Sequence, residues 1–219
     1  MISPIEFIWP YIRKETKQEA VEDALYRHRD LDAIKNSDWS KDSEVALDQA
    51  RLLAEQETDR KRSAENKASI YLAVIAAIVP VLSSLLTDFF AADFRELPIS
   101  FQVISIGLFV LGMLYLAMSG VWAFRTLAVS THARIDATDL ANVWAEQKPT
   151  AGLARELLLA TRLNRNGVNK KMDYIRLAHE FLLRTFLSFA LLLLVIVLRE
   201  PFQALLGVIE PWIKRLSSL

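Results

Sequence analysis

Three histidines are the first side chains to consider for chemistry, because the chain contains no cysteine. His28, His132 and His179 lie far apart in the sequence, and none has a second ligand at the spacing of a zinc site. The pair His179-Glu180 begins an HExxH pattern, but the position that needs the second histidine is occupied by Leu183. We therefore predict neither a metal site nor a cofactor.

Other catalytic patterns are also missing from the sequence. It contains no glycine-rich phosphate-binding loop and no serine in a nucleophile elbow. No nucleophile or pair of carboxylates is placed for hydrolysis of a lipid. The sequence therefore predicts a protein that is not an enzyme.

One basic cluster is a candidate for contact with an anion or a partner. Arg162, Arg165, Lys170 and Lys171 surround the Asn-rich segment 164–167, where we expect the helix to break or bend. Backbone N–H groups at a helix start would add to an anion site. Alternatively, these charges flank a membrane span and pair with the acidic N-terminal helix, which is the interpretation that we prefer.

Three long apolar stretches determine where these candidate residues lie in the fold. They are Ala68–Thr87, Phe101–Phe124 and Phe181–Leu198, the last interrupted only by Arg184. At about 1.5 Å per helical residue, the first spans roughly 30 Å, the thickness of the hydrocarbon core of a bilayer. None has the polar face of a soluble amphipathic helix. We therefore predict an all-α integral membrane protein with three transmembrane helices, whose cytoplasmic helical extensions form a bundle.

The interiors of the three stretches exclude some transport functions. They contain no Asp, Glu, Lys or His, which a proton-coupled transporter would need at depth. A pore formed by an oligomer remains open, because Ser83, Ser84 and Thr87 lie at one end of the first stretch. Pro80 should kink that stretch. The second stretch carries small residues for close helix contact, namely Ser105, Gly107, Gly112, Ser119 and Gly120.

These patterns divide the chain into five segments. We predict a cytoplasmic arm and stalk at 1–67, a transmembrane hairpin at 68–124 and a cytoplasmic helical segment at 125–180. A third transmembrane helix follows at 181–200, closed by Arg199-Glu200-Pro201, and an amphipathic helix at 201–219 that we place on the outer leaflet. The apolar residues 2–12 either lie at the headgroup interface or dock on the bundle.

Helix signals give finer expectations. We predict a first helix from about Tyr11 to Ile34, ended by residues 36–38, and a second that starts at Ser40 or Asp42 and continues into the first span. In its polar stretch, Glu57–Lys61 and Lys61–Glu65 have the i,i+4 spacing of ion pairs, as in a solvated coiled-coil stalk.

The later helices follow from the same signals. The helix of the second span should continue to just before Lys148-Pro149, and Thr150 should cap the next. We expect that helix to break or bend at the Asn-rich segment, with another helix from about Asn169 leading into the third span.

The distribution of charge predicts the topology. Residues 1–67 contain twelve Lys/Arg and fifteen Asp/Glu, whereas residues 125–184 contain ten Lys/Arg and six Asp/Glu. Lys and Arg lie close to the ends of the spans on both of these segments. The positive-inside rule therefore places the N-terminus and the middle segment in the cytoplasm, and the loop 88–100 and the C-terminus outside.

Two passages resemble a known family. One is Glu57–Ala68, which enters the first span, and the other is Asn166–Lys171, followed by Ile175, Ala178 and Phe181 before the last span. Together they resemble the SLATT-type transmembrane effectors of bacterial defence systems, although this chain has a third span and a long N-terminal arm. The resemblance implies a membrane-disrupting or pore-forming effector, triggered in the cytoplasm by a nucleotide signal or a partner, with no catalytic residues.

These observations give two functional hypotheses. The first is an inner-membrane effector in antiphage defence, which permeabilises the bilayer as a homo-oligomer when a signal or protein partner alters its cytoplasmic bundle. The second is a non-lytic membrane scaffold or sensor that tethers a cytoplasmic partner. Neither hypothesis requires direct binding of nucleic acid.

Overall fold

A computed structural model describes the backbone of residues 9–12, 16–89, 94, 96–128 and 133–216. Side chains are described for the same residues, except 88, 89 and 199–216. The predictions for residues 1–8, for residues 90–93 and 95 of the loop 88–100, for His132 and for the side chains of the C-terminal amphipathic segment lie outside these ranges.

The secondary structure of the described residues is α-helical, as predicted. Within these residues, three helices are long and apolar enough to cross a bilayer, in the regions predicted for the spans. The helices are α1 (Lys17–Asn36), α2 (Ser43–Phe89), α3 (Ile99–Leu127), α4 (Ala137–Trp144) and α5 (Pro149–Leu216).

Helix α1 begins later than predicted because Thr16 caps it. The hydroxyl of Thr16 accepts a hydrogen bond from the backbone N–H of Glu19, and the Glu19 carboxylate accepts one from the backbone N–H of Thr16. This reciprocal capping box satisfies two donors that a helix start would otherwise leave free. Tyr11 lies outside the helix, whereas the predicted end at residues 36–38 is confirmed.

A short turn joins α1 to α2. Asp38 accepts hydrogen bonds from the side chain and the backbone N–H of Ser40, and these bonds lower the pKa of the Asp38 carboxyl. The indole of Trp39 donates to the carbonyl of Ile34 at 2.8 Å. The turn therefore returns the chain directly into α2.

Helix α2 confirms the prediction of one continuous helix from the polar stalk into the first span. It begins at Ser43 and contains Pro80 without interruption. The hydroxyls of Ser83, Ser84 and Thr87 donate to carbonyls of their own helix, those of Val79, Val81 and Ser83.

Helix α3 ends at Leu127, so the prediction that it continues to just before Lys148 was wrong. The chain is extended at the described residues just before α4, where Asp136 forms a capping box with Asp139. The carboxylate of Asp136 accepts from the backbone N–H groups of Thr138 and Asp139. This cap starts a separate short helix where apolar content alone favoured continuation.

Helix α5 corrects three predictions. It begins at Pro149, whose fixed φ and missing N–H suit the first position of a helix, rather than after a Thr150 cap. It continues without a break through the Asn-rich segment to Leu216, so the break predicted at that segment and the end predicted at Pro201 were both wrong. An Asn or Gly inside a helix costs about 0.5–1 kcal/mol relative to Ala. The packing of neighbouring Val168, which is almost fully buried, offsets that cost.

The connection into α5 is held by a salt bridge. The guanidinium of Arg155 donates to a carboxylate oxygen of Glu146 at 2.8 Å. This hydrogen bond raises the pKa of Arg155 above its ordinary value. Gly152 lies so close that an added Cβ would come within 2.6 Å of Glu146 Oε2 and 3.1 Å of Val143. A side chain at residue 152 would therefore require the Glu146 carboxylate to move.

The chain divides into two compact units. Unit 1 comprises the described residues of Met1–Leu72 and Trp122–Ala178, and unit 2 those of Ala73–Val121 and His179–Leu219. Unit 1 has two apolar clusters of buried residues. One contains Leu47, Ala50 and Ala154, and the other contains Ala64, Ala68, Ala123, Ile175 and Ala178.

Unit 2 packs through aromatic rings of α5 against α3. Phe189 contacts Phe109 edge-on at 6.0 Å between ring centroids, and Phe181 lies 6.1 Å from Tyr115. The ring of Phe189 lies against Gly112, where an added Cβ would come within 2.9 Å of it. Among the predicted small contact residues, Ser105 and Ser119 are also buried, whereas Gly107 has no atom within 4 Å of the corresponding Cβ position.

Replacing Gly112 tests this packing, with Gly107 as the matched control. We expect Gly112→Leu to destabilise unit 2 by about 1–3 kcal/mol, because the Phe189 ring must move to admit the side chain. Gly107→Leu introduces the same side chain in open space and should leave the melting temperature in detergent nearly unchanged. Equal melting temperatures for the two variants would contradict the packing of α3 against α5.

Candidate functional site

Polar residues replace apolar ones in the middle of the seam that holds unit 1 together. Buried and half-buried positions recur on α2 and α5 at alternating spacings of three and four, the pattern of helices packed as in a coiled coil. On α2 they are Leu47, Ala50, Ala54, Glu57, Lys61, Ala64 and Ala68, and on α5 they are Ala154, Leu157, Thr161, Asn164, Val168, Lys171 and Ile175. We call Glu57, Lys61, Thr161 and Asn164 the polar layer. It separates the two apolar clusters.

An open cavity of about 640 Å³ adjoins the polar layer. Its walls come from α2, from α5 and from the extended residues before α4. The lining residues with charged or polar side chains are Glu57, Thr58, Lys61, Arg62, Glu65, Arg134, Thr161 and Asn164.

The hydrogen bonding of Glu57, which lines this cavity, is incomplete. Its Oε2 pairs with the guanidinium of Arg60 at 2.9 Å. Its Oε1 is buried and has no hydrogen-bond partner. Leaving a buried carboxylate oxygen without a donor costs about 1–3 kcal/mol.

Asn164 fixes the wall of the cavity opposite α2. Its amide oxygen accepts a hydrogen bond from the backbone N–H of Ala133 at 2.7 Å, and its amide nitrogen donates to the Ala133 carbonyl at 2.8 Å. The Asn164 side chain therefore binds both the backbone N–H and the backbone carbonyl of Ala133. This bidentate contact holds the extended segment, and with it Arg134, beside α5.

Lys171 forms the most buried polar contact of unit 1. Its ammonium donates to a carboxylate oxygen of Glu65 at 2.9 Å and to the carbonyls of Thr126 and Ala128 at 2.7 and 3.4 Å. These carbonyls lie at the C-terminus of α3, where the helix dipole favours a cation. One side chain therefore ties α2, α3 and α5 together.

The four residues of the predicted basic cluster have different surroundings. Arg162 pairs with Asp30 of α1 at 2.8 Å, and Lys171 is bound as described above. Arg165 and Lys170 are exposed. Arg165 lines a second cavity of about 310 Å³ with Arg60 and Arg162, and Glu57 and Thr161 line both cavities. The pair of Arg162 with Asp30 fits the preferred interpretation, in which these cations pair with the acidic N-terminal helix, whereas Lys171 pairs with Glu65 of α2. Contact of the cluster with an anion or a partner stays a prediction.

Two predicted ion pairs were wrong. Glu57 and Glu65 pair with Arg60 and Lys171, respectively, rather than with Lys61. The i,i+4 rule describes an isolated helix. Here the carboxylate of Glu65 binds Lys171 of α5 instead of pairing with Lys61 of its own helix.

The two described histidines lie on different helices. His28 contacts Asp32 on the exposed side of α1 at 2.7 Å, and His179 is exposed on α5. No group of three or more metal-ligating side chains occurs among the residues that the structure describes.

Comparison of the chain with protein-family models, with curated proteins and with solved structures finds no match. The geometry of the site is therefore the basis of the functional argument.

Replacing Lys171 tests the contact that joins the three helices. We expect Lys171→Met to lower the stability of unit 1 by about 1–3 kcal/mol, because the Glu65 carboxylate and the Thr126 carbonyl lose their donor. Lys170→Met removes the same charge from the adjacent, exposed position and should have little effect. Thermal unfolding in detergent measures both. A melting temperature that falls equally in both variants would contradict a specific role of Lys171.

Proposed function

We propose that the protein is a multi-pass effector of the bacterial inner membrane, which permeabilises the bilayer when a cytoplasmic signal or partner alters unit 1. The observation that carries this proposal is the continuity of α2 and α5. Each of these two helices contains two residues of the polar layer. Each also contains an apolar stretch long enough to cross a bilayer. A change in the seam of unit 1 therefore acts on the same helices that would lie in lipid.

The exposure of the apolar stretches supports insertion into a bilayer. In the 18-residue apolar stretch of α2, only 6% of the residues are buried within the chain. The share is 28% in the corresponding stretches of α3 and α5. Large side chains such as Val81, Val103 and Val197 are more than half exposed. Exposure of that much apolar surface to water is unfavourable, so we infer that lipid or a second copy of the chain covers it.

The direction of insertion follows from charge. Most of the basic residues that flank the spans, such as Lys67, Arg125 and Lys170, belong to unit 1, which we place in the cytoplasm with the N-terminus. The C-terminus then lies outside. The resemblance to SLATT-type effectors supports a role in antiphage defence, with oligomerisation as the step that perturbs the membrane.

A membrane-potential assay tests this proposal. We expect expression in a bacterial host to depolarise cells loaded with a voltage-sensitive dye, and Lys171→Met to depolarise them at lower expression, because it releases α2 and α3 from α5. Lys170→Met provides the control at equal abundance in the membrane fraction. An unchanged potential for both the wild-type protein and Lys171→Met at matched abundance would refute the effector function.

The alternative is a non-lytic scaffold or sensor, and one observation favours it. None of the residues of α1 is buried, and Val21 and Leu25, one turn apart, are each about 60% exposed. An apolar pair displayed in this way on a charged helix is suited to docking a cytoplasmic protein.

A deletion distinguishes the two functions. If the protein is a scaffold, removal of residues 1–36 should abolish recruitment of its cytoplasmic partner, measured by quantitative co-purification, with no change in membrane potential. Val21→Ser with Leu25→Ser should reproduce the loss, whereas Glu22→Ser with Asp23→Ser should not. Recruitment that survives the deletion would exclude α1 as the docking element.

A further inference from the structure

The cavity beside the polar layer has the size and composition of a ligand site. Its volume of about 640 Å³ lies within the range of about 300–1,000 Å³ that small-molecule sites occupy. It lies where a helical seam would ordinarily be filled by apolar side chains. Polar residues at such positions reduce the stability of a bundle, so their presence calls for a compensating role.

One side of the cavity is cationic. Lys61, Arg62 and Arg134 line it, and no hydrogen bond or ion pair joins their side chains to any of the described residues. The charge of Glu65, which also lines the cavity, is already matched by Lys171. Two guanidinium groups and an ammonium group left without partners form a receptor for a phosphate, which accepts several such hydrogen bonds at once.

The other side presents acceptors. Glu57 lines it, with Oε2 paired to Arg60 and Oε1 enclosed by protein atoms. The hydroxyls of Thr58 and Thr161 donate their hydrogens to the carbonyls of Ala54 and Leu157, which leaves their oxygen lone pairs as acceptors. This side therefore requires N–H donors.

The spacing of the two sides follows from α2. Glu57 and Thr58 lie four residues before Lys61 and Arg62, which is one helical turn or about 6 Å. We propose that this cavity binds a small molecule that carries a phosphate group and, about one helical turn away, an amine or amino group. Such chemistry occurs in free phosphorylated amines and in the ethanolamine headgroup of phospholipids.

Binding is tested with the full chain in phospholipid-free detergent micelles. The probe is O-phosphoethanolamine, with orthophosphate and ethanolamine as its two halves. We expect the complete probe to raise the melting temperature saturably and to bind more tightly than either half. Failure of O-phosphoethanolamine to bind would overturn the inference, as would equal affinity for O-phosphoethanolamine and orthophosphate.

Charge variants locate the site. Arg62→Gln with Arg134→Gln removes two exposed cations of the cavity and should weaken probe binding at least about tenfold, since each charge-assisted hydrogen bond to phosphate is lost. Arg51→Gln with Lys67→Gln removes the same charge from exposed positions of α2 that do not line the cavity, and should change affinity less than about twofold. Equal losses in the two double variants would show adventitious binding to a basic surface and overturn the proposed site.

Two further measurements identify the donor side and the source of the ligand. Glu57→Gln should reduce the preference for phosphoethanolamine over orthophosphate while orthophosphate still binds, because the carboxylate recognises the amine. An unchanged preference would contradict that role. Phosphatidylethanolamine added to the micelles should displace the soluble probe if the ligand is a lipid headgroup, and should leave it bound if the ligand is free in the cytoplasm. The binding assay does not depend on membrane permeabilisation, so either proposal can fail alone.

Discussion

An ammonium group stays buried in a protein only if acceptors replace the water around its three N–H donors, and the packing of unit 1 is arranged to meet this demand at Lys171. Glu65 supplies a charge from α2, and the C-terminal carbonyls of α3 supply the remaining acceptors. The cost of removing the charge from water is offset only while all three helices keep their positions. Helix α3 must therefore end near Leu127, because an uninterrupted helix would use these carbonyls internally.

In the polar layer, the same need for hydrogen-bond partners is met less completely. Asn164 has both of its amide groups satisfied by Ala133, whereas one oxygen of Glu57 has no donor. The hydrogen bonding of the seam is therefore complete at Lys171 and only partial at Glu57.

The sequence allowed the three apolar stretches and the unbroken helix α2 to be predicted, because both depend on composition and on the absence of helix breakers. It did not reveal the end of α3 or the continuity of α5. Asp136 and Asp139 carried a capping signal that apolar content outweighed, and the Asn-Gly segment stays helical because Ala133 binds Asn164 and Val168 is buried. Lys171 was recognised as a candidate, but its partners come from residues more than forty positions away. The alternating spacing of Glu57, Lys61, Thr161 and Asn164 would have indicated the polar layer from the sequence.

The hydroxyl groups near the end of the first apolar stretch have a consequence for ion selectivity. Ser83, Ser84 and Thr87 already give their hydrogens to backbone carbonyls, so each can remain in hydrocarbon without a water partner. Toward anything that passes alongside, these groups offer lone pairs and no donors. If several copies enclosed an aqueous path along this face, its wall would solvate sodium or potassium better than chloride, and the current would be carried mainly by cations.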